Sequence, residues 1–356
     1  MLQRNDILVF GITAAAVVAA GVLHFTGAND VLRFVVAAAA LSLLAVNVSS
    51  GTEHVGEHLS PGATGVLQSA LGNLPELLVC AFSLRAGLVQ VVQGALIGSI
   101  LGNSLLVLGV AIFVGGLKHG RQTFDAESPR MIVSLMMLAV AAFSIPTLAF
   151  ELHTPASAHE VPLSAACAVL LLVVFFASLP FSLSADPQRS LRHAPQADVA
   201  GAQHWPLGLA VTVLVLASAG AAVVSEWFVE ALEPAIKALH ISQAFAGIVV
   251  VAIAGNAVEN VAGIRLAAKN RPDYAMSVIL SSSLMIALVV APALVLLSFV
   301  LGGPVLTLVV PPLLIAALLL TTLTSAIIVN DGETIWIEGL ALVGLYVIIA
   351  ASFWWG

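Results

Sequence analysis

Two glutamates stand where a charged side chain is least expected. Glu76 follows Gly72-Asn73-Leu74-Pro75, Glu259 follows Gly255-Asn256-Ala257-Val258, and each lies near the middle of a long apolar run. An ionised carboxylate at the centre of a bilayer costs at least about 2.5–3.5 kcal/mol. A sequence keeps such a group when it is paired, protonated or bound to an ion. No lysine or arginine lies at equivalent depth in either run, which leaves a cation or a proton. Gly72 and Gly255 weaken the helix and Pro75 removes a backbone donor, so carbonyl oxygens are freed beside the carboxylates. Those oxygens, the amides of Asn73 and Asn256 and the hydroxyls of Ser99 and Ser282 are all hard ligands, with Asn103 and Asn260 as further candidates. Oxygens around two carboxylates suit Ca2+, which takes about 6–8 of them in flexible geometry. With no imidazole at this depth and no thiolate, the set is poor for zinc or copper.

The same pair supplies a mechanism. Burial favours the protonated carboxyl, whereas a divalent ion favours the ionised one. Protons and cation therefore compete for the same oxygens. If a site with bare carboxylates is too costly to carry across the membrane, one or the other must be loaded, and transport becomes obligatory exchange.

The elements that hold these residues are membrane helices. The chain is 60% hydrophobic and 9% charged, far below the roughly 25% charged residues of a soluble domain. Continuous Ala/Val/Leu/Ile blocks long enough to span a bilayer recur from end to end, which favours helices over an alternating barrel pattern. The apolar pattern predicts eleven helices, at about 7–25, 31–48, 62–84, 89–116, 131–150, 161–181, 206–228, 243–268, 273–300, 305–325 and 335–354. The opening MLQRND and its apolar run carry one arginine and no convincing small-residue cleavage site, so they are read as a retained first span.

The sequence also repeats itself. Gly72-Asn73-Leu74-Pro75-Glu76 matches Gly255-Asn256-Ala257-Val258-Glu259 at an offset of 183 residues (255 − 72). The same offset carries Gly98-Ser99-Ile100-Leu101 onto Ser281-Ser282-Ser283-Leu284 without a gap. The offset covers an odd number of crossings, so the second copy is expected to run through the bilayer upside down, the inverted-repeat plan of secondary transporters. The expected organisation is a leading transmembrane helix (1–30), a first five-helix repeat (31–181), a cytoplasmic linker (182–205) and a second five-helix repeat (206–356). Arg4, Lys118, Arg121, Arg130, Arg189, Arg192, Arg265, Lys269 and Arg271 fall on the N-terminal side, against Arg33, Arg85 and Lys237 on the other. That bias predicts a cytoplasmic N-terminus and an external C-terminus.

At this point Gln68–Arg85, Gly98–Gly109, Ala254–Asn270 and Ser281–Pro292 resemble the cation/proton exchanger (CAX) family of the calcium/cation antiporter superfamily. The likeness runs through nearly the whole chain after the first span. Gly51-Thr52-Glu53, Gly115-Gly116-Leu117, Ser225-Glu226, Asp331-Gly332 and Glu338-Gly339 also fit. The resemblance implies eleven helices in inverted five-helix repeats and Ca2+/H+ exchange. It implies that Glu76 and Glu259 bind the cation and carry protons alternately, and that Glu53 and Glu226 line the approaches from the two sides. Two positions depart from the family pattern: Asn260 stands where it carries histidine, and Met285 where it carries glutamine. Asn260 offers an oxygen but does not titrate, and Met285 removes an amide oxygen. A Na+(K+)/H+ antiporter or a broad-specificity cation/proton exchanger is the alternative.

One string suggests enzymatic chemistry. His54-Val55-Gly56-Glu57-His58 fits the H-x-x-E-H pattern of an intramembrane zinc metalloprotease. It is placed in a short connection before the third helix with no third ligand nearby, so a solvated helix end collecting cations is preferred. Glu226, Glu230 and Glu233 recur on one helix face, either as a vestibule or as a solvated end. Cys80 and Cys167 sit in apolar runs and read as small hydrophobes. There is no basic patch for nucleic acid and no Walker motif for an ATP-driven pump. The expectation is therefore a non-enzymatic membrane protein of a bacterial inner membrane. Its partners are the cation, protons and lipid, it needs no cofactor, and a homo-oligomer is left open.

Overall fold

The computed structural model describes residues 4–59, 64, 67, 68, 71–184 and 205–355, without the side chains of 5, 180–184, 258 and 259. Most of the expected linker and the first part of the expected helix 62–84 lie outside the described residues. Among the described residues the fold is helical, apart from one two-stranded ribbon. Among the described residues eight helices are long and apolar enough to cross a membrane, or nine if one bent pair counts as a single span. Trp336–Ser352 is a shorter apolar helix. The chain divides into two compact units, one from Met1–Phe82 with Phe175–His240, the other from Ser83–Val174 with Ile241–Gly356.

The first unit is built on helices Arg4–Thr26, Asp30–Gly56 and Leu207–Leu239. The second of these starts where Asn29 caps it, its Oδ1 accepting from the N–H groups of Val31 and Leu32. Helix Arg4–Thr26 is pinned at three levels. Trp205 Nε1 donates to Asp6 (3.3 Å), buried Asn47 donates to Thr13 (2.8 Å), and His24 stacks on Trp227. Gly51 lets the other two helices approach closely, since a Cβ there would lie 3.0 Å from Leu214.

Two of these helices outrun the apolar pattern. The segment expected to end near 48 continues to Gly56, and the one expected to end near 228 continues to Leu239. The latter has 33 residues, about 50 Å at 1.5 Å per residue, against a hydrocarbon core of about 30 Å. Hydropathy stops at the bilayer edge, but backbone hydrogen bonding does not. Thr52 bonds back to Val48, and Lys237 pairs with Glu233 one turn away (2.7 Å).

The second unit contains Val89–Leu101, a wide π turn at Gly102–Val107 and Leu108–His119, followed by Glu127–Glu151. Its later part contains Gln243–Phe245, a π turn at Ala246–Val251, then Ala252–Gly255 and Ala257–Ala268. Next come Pro272–Met285, a π turn at Ile286–Val290 and Ala291–Ser298. Glycines bring two of these rods into backbone contact. A Cβ on Gly94 would lie 2.8 Å from the Ala244 carbonyl, and Gly98 and Gly247 face the opposing backbone at Ile248 and Val91. Gln122–Thr123 pairs antiparallel with Glu333–Thr334, and Arg121 bonds Glu333 across the ribbon at 2.6 Å.

The helix expected at 305–325 instead spans Pro312–Asn330. Pro311-Pro312 fixes an extended entry that ends in a proline at the first helical position. The segment before it is held by side chains. Gln93 donates to the Val309 carbonyl (2.7 Å), Thr147 to that of Leu308 (3.0 Å), and Ser164 accepts from Leu308 N–H (2.9 Å).

The sequence repeat has a local counterpart. Leu74–Arg85 and Ala257–Ala268 are both 12-residue helices, each preceded by a break at its Gly-Asn pair, and they start 183 residues apart (257 − 74). Val89 and Pro272 open the following helices at the same spacing, and each of those helices contains a π turn after its serine.

Candidate functional site

Four of the residues singled out from the sequence meet inside the second unit. Asn256 ends Ala252–Gly255 with φ −107° and ψ 20°, outside helical geometry, and the bent pair around it turns by 65°. Its Nδ2 donates to Ser99 Oγ (2.9 Å) and to the Ala252 carbonyl (3.0 Å), which fixes the amide. Its Oδ1 then faces Ser282 Oγ at 3.4 Å and Asn103 Nδ2 at 3.5 Å. Asn103 also donates to Ser282 Oγ (3.0 Å). Ser99, Asn103 and Asn256 are each no more than 2% exposed and Ser282 is 7% exposed, so the amide and hydroxyl groups are gathered away from water.

Asn260 lies one turn beyond Asn256, and its buried Oδ1 has no hydrogen-bond partner among the described residues. A buried amide oxygen without a donor is a hard ligand of the kind a cation takes. Gly255 precedes the break, and Glu259 lies in the first turn of Ala257–Ala268, with its side chain outside the described residues. Met285 closes helix Pro272–Met285, one turn past Ser282.

Gly72, Asn73 and Glu76 belong to the first unit. Gly72 and Asn73 form the turn before Leu74–Arg85, and Glu76 sits in that helix's first turn, 1% exposed. A carboxyl so buried in an apolar helix is the costly placement inferred from the sequence. Glu53 and Glu226 are exposed, on Asp30–Gly56 and Leu207–Leu239.

The H-x-x-E-H string, expected in a short connection, lies there only in part: His54, Val55 and Gly56 end helix Asp30–Gly56, and Glu57 and His58 are in the turn after it. His54 is inside helix Asp30–Gly56, because the helix runs through it. His54 bonds the Ser50 carbonyl (2.8 Å) and stacks on Trp205 at 4.1 Å, while His58 bonds the Trp205 carbonyl (3.1 Å). Among the described residues, no group of three His, Cys, Asp or Glu side chains converges to hold a metal. Glu230 approaches His24 at 3.7 Å, and Glu233 pairs with Lys237.

Sequence reasoning missed one feature of this region. Ser104 and Ser283, both fully buried, join hydroxyl to hydroxyl at 2.9 Å. Neither is marked by the repeat, since residues 183 away are Ala287 and Ile100. Their adjacency to Asn103 and Ser282 was the available signal.

The chain matches the sodium/calcium exchanger protein family over residues 30–184 and 209–355. A Ca2+/H+ antiporter of Synechocystis sp. is 34% identical over 358 residues, covering 93% of this chain and 92% of that protein. The Ca2+/H+ antiporter ChaA of Bacillus subtilis is 32% identical over 324 residues, covering 90% and 91%. The solved structure of native YfkE superposes with a TM-score of 0.82 at 30% identity, covering 97% of this chain and 99% of that one. An H+/Ca2+ exchanger CAX structure shares the fold at 16% identity, with a TM-score of 0.72 over 99% and 92%.

Apolar helices broken around buried polar groups and these likenesses define an integral membrane protein with a transporter fold. Within that class, the chain belongs to the sodium/calcium exchanger family, in its cation/proton exchanger branch.

Proposed function

We propose that the protein exchanges Ca2+ for protons across a bacterial inner membrane, with Glu76 and Glu259 binding cation and proton in turn. The observation that carries this reading is the buried, hydrogen-bonded set of Asn256, Ser99, Asn103 and Ser282 at a helix break. Such groups offer hard oxygens at little desolvation cost to one another, and a cation competes for them. The relatives' names and the 1% exposure of Glu76 point the same way.

In this reading eleven helices form a leading helix and two inverted five-helix repeats, with the N-terminus cytoplasmic and the C-terminus outside. The constant 183-residue spacing of breaks and serines supports the duplication. Asn73 and the freed carbonyls around Gly72 and Gly255 complete the ion's shell, and Glu53 and Glu226 draw cations to the two mouths. Asn260 and Met285 favour a second reading, in which Na+ or K+ replaces Ca2+ or several cations are accepted. The Oδ1 of Asn260, without a partner among the described residues, supplies an oxygen without a charge, which suits a monovalent ion.

Purified protein in acid-loaded proteoliposomes tests both. External Ca2+, Na+, K+ or Mn2+ is added and the collapse of the pH gradient is followed with a dye. Collapse by Ca2+ is the expected result. Collapse only by Na+ or K+ replaces it with the second reading, and no collapse by any cation overturns both.

A further inference from the structure

We propose that Ser104 and Ser283 are the positioning pair of the cation site, holding Asn103 opposite Ser282. The inference rests on the cation reading above. In an α-helix, adjacent side chains point about 100° apart, so they do not face each other. Here Asn103 and Ser104 both reach helix Pro272–Met285, where they meet the adjacent residues Ser282 and Ser283 at 3.0 and 2.9 Å.

Asn103 and Ser104 make this double contact from the wide turn Gly102–Val107, and Ser282 and Ser283 make it from the regular helix opposite. A π turn exchanges good i→i−4 bonding for a looser ring, so it persists where outside contacts hold it. Leu101 and Leu105 on this rod and Ile279 and Leu280 opposite are buried. The two hydroxyls are fully buried, and each bonds the other. One rung of the ladder faces the site, and the other fixes the register of that rung.

The test is Ca2+ flux and thermal stability for Ser104→Ala, Ser283→Ala and the double variant. Each single change leaves a buried hydroxyl without its partner, whereas removing both leaves two apolar groups, which is close to neutral for folding. A positioning role predicts a KM for Ca2+ raised about five- to tenfold in all three, the size of one buried hydrogen bond, with the maximal rate within about twofold. It also predicts that the double variant regains near-wild-type stability while its KM stays high. Ser325→Ala, another fully buried serine, serves as the control and leaves KM unchanged. An unchanged KM in the singles, or recovery of KM together with stability in the double, overturns the proposal. A wild-type protein that moves no cation overturns the exchange reading instead.

Discussion

The two Gly-Asn-x-x-Glu stretches have the same length and lead into helices of 12 residues, yet they are broken by different means. In the first, Pro75 stands in the opening turn and removes a backbone donor, so the break is written into the covalent chain. In the second, Val258 occupies that position and no proline enforces anything. There Asn256 leaves helical geometry, and its amide is captured by Ser99 and by the Ala252 carbonyl. Four residues after each glutamate the copies differ again. Cys80 is buried in the first, and Gly263 occupies the place in the second because a Cβ there would sit 2.5 Å from Ile279. One chemical motif is thus held open once by local backbone chemistry and once by tertiary contacts.

The sharpest way to challenge this comparison is to neutralise the carboxylates. Glu76→Gln and Glu259→Gln are each expected to lower exchange by at least about a hundredfold, the scale of losing an essential charge in a buried site. A variant that retained transport would show that the two copies are not functionally equal. Packing gives the next largest effect. Gly263→Val is expected to destabilise by about 1–3 kcal/mol through overpacking, read as a lowered Tm in detergent, whereas Cys80→Ala loses about 1 kcal/mol. Equal losses would mean that Ile279 yields freely.

Asn256→Ala is expected to raise the KM for the cation about tenfold and Asn73→Ala by less, because Asn256 holds the break and, in the proposed reading, a ligand position as well. Flux at graded cation concentration separates them. The smallest effect belongs to Met285→Gln, which is expected to shift the preference for Ca2+ over Na+ upward by about threefold as an amide oxygen enters. A fixed ratio would remove Met285 from the determinants of selectivity.

The polar cluster of the second unit was legible in the sequence for a physical reason. A carboxylate in an apolar run is conspicuous wherever it falls, and duplication reveals the residues that accompany it, so Asn256, Ser99 and Ser282 could be named from residue type and spacing. Asn103 could be read only as a weaker candidate, because its role depends on what Ser282 presents to it. The π turns left no trace, since they arise where side chains on neighbouring helices outcompete regular backbone bonding. Ser104 and Ser283 were hidden for the same reason. Helix ends were misplaced at Gly56, Leu239 and Pro312 because hydropathy reports where lipid ends, whereas the backbone stops at caps, prolines and left-handed residues such as His240 (φ 53°).

The glycine seam of Gly94, Gly98 and Gly247 has a consequence for how deuterium enters the molecule. Where two backbones touch without side chains between them, local opening has to separate both rods at once. Amides along Val91–Ile100 and Ala246–Val251 are therefore expected to exchange last. Those of Arg4–Thr26, where Ile7, Leu8, Val18, Val22 and Phe25 lie open on the unit's surface, are expected to exchange sooner once detergent replaces lipid. The slowest-exchanging part of the protein would then be the glycine seam, where the two backbones meet directly.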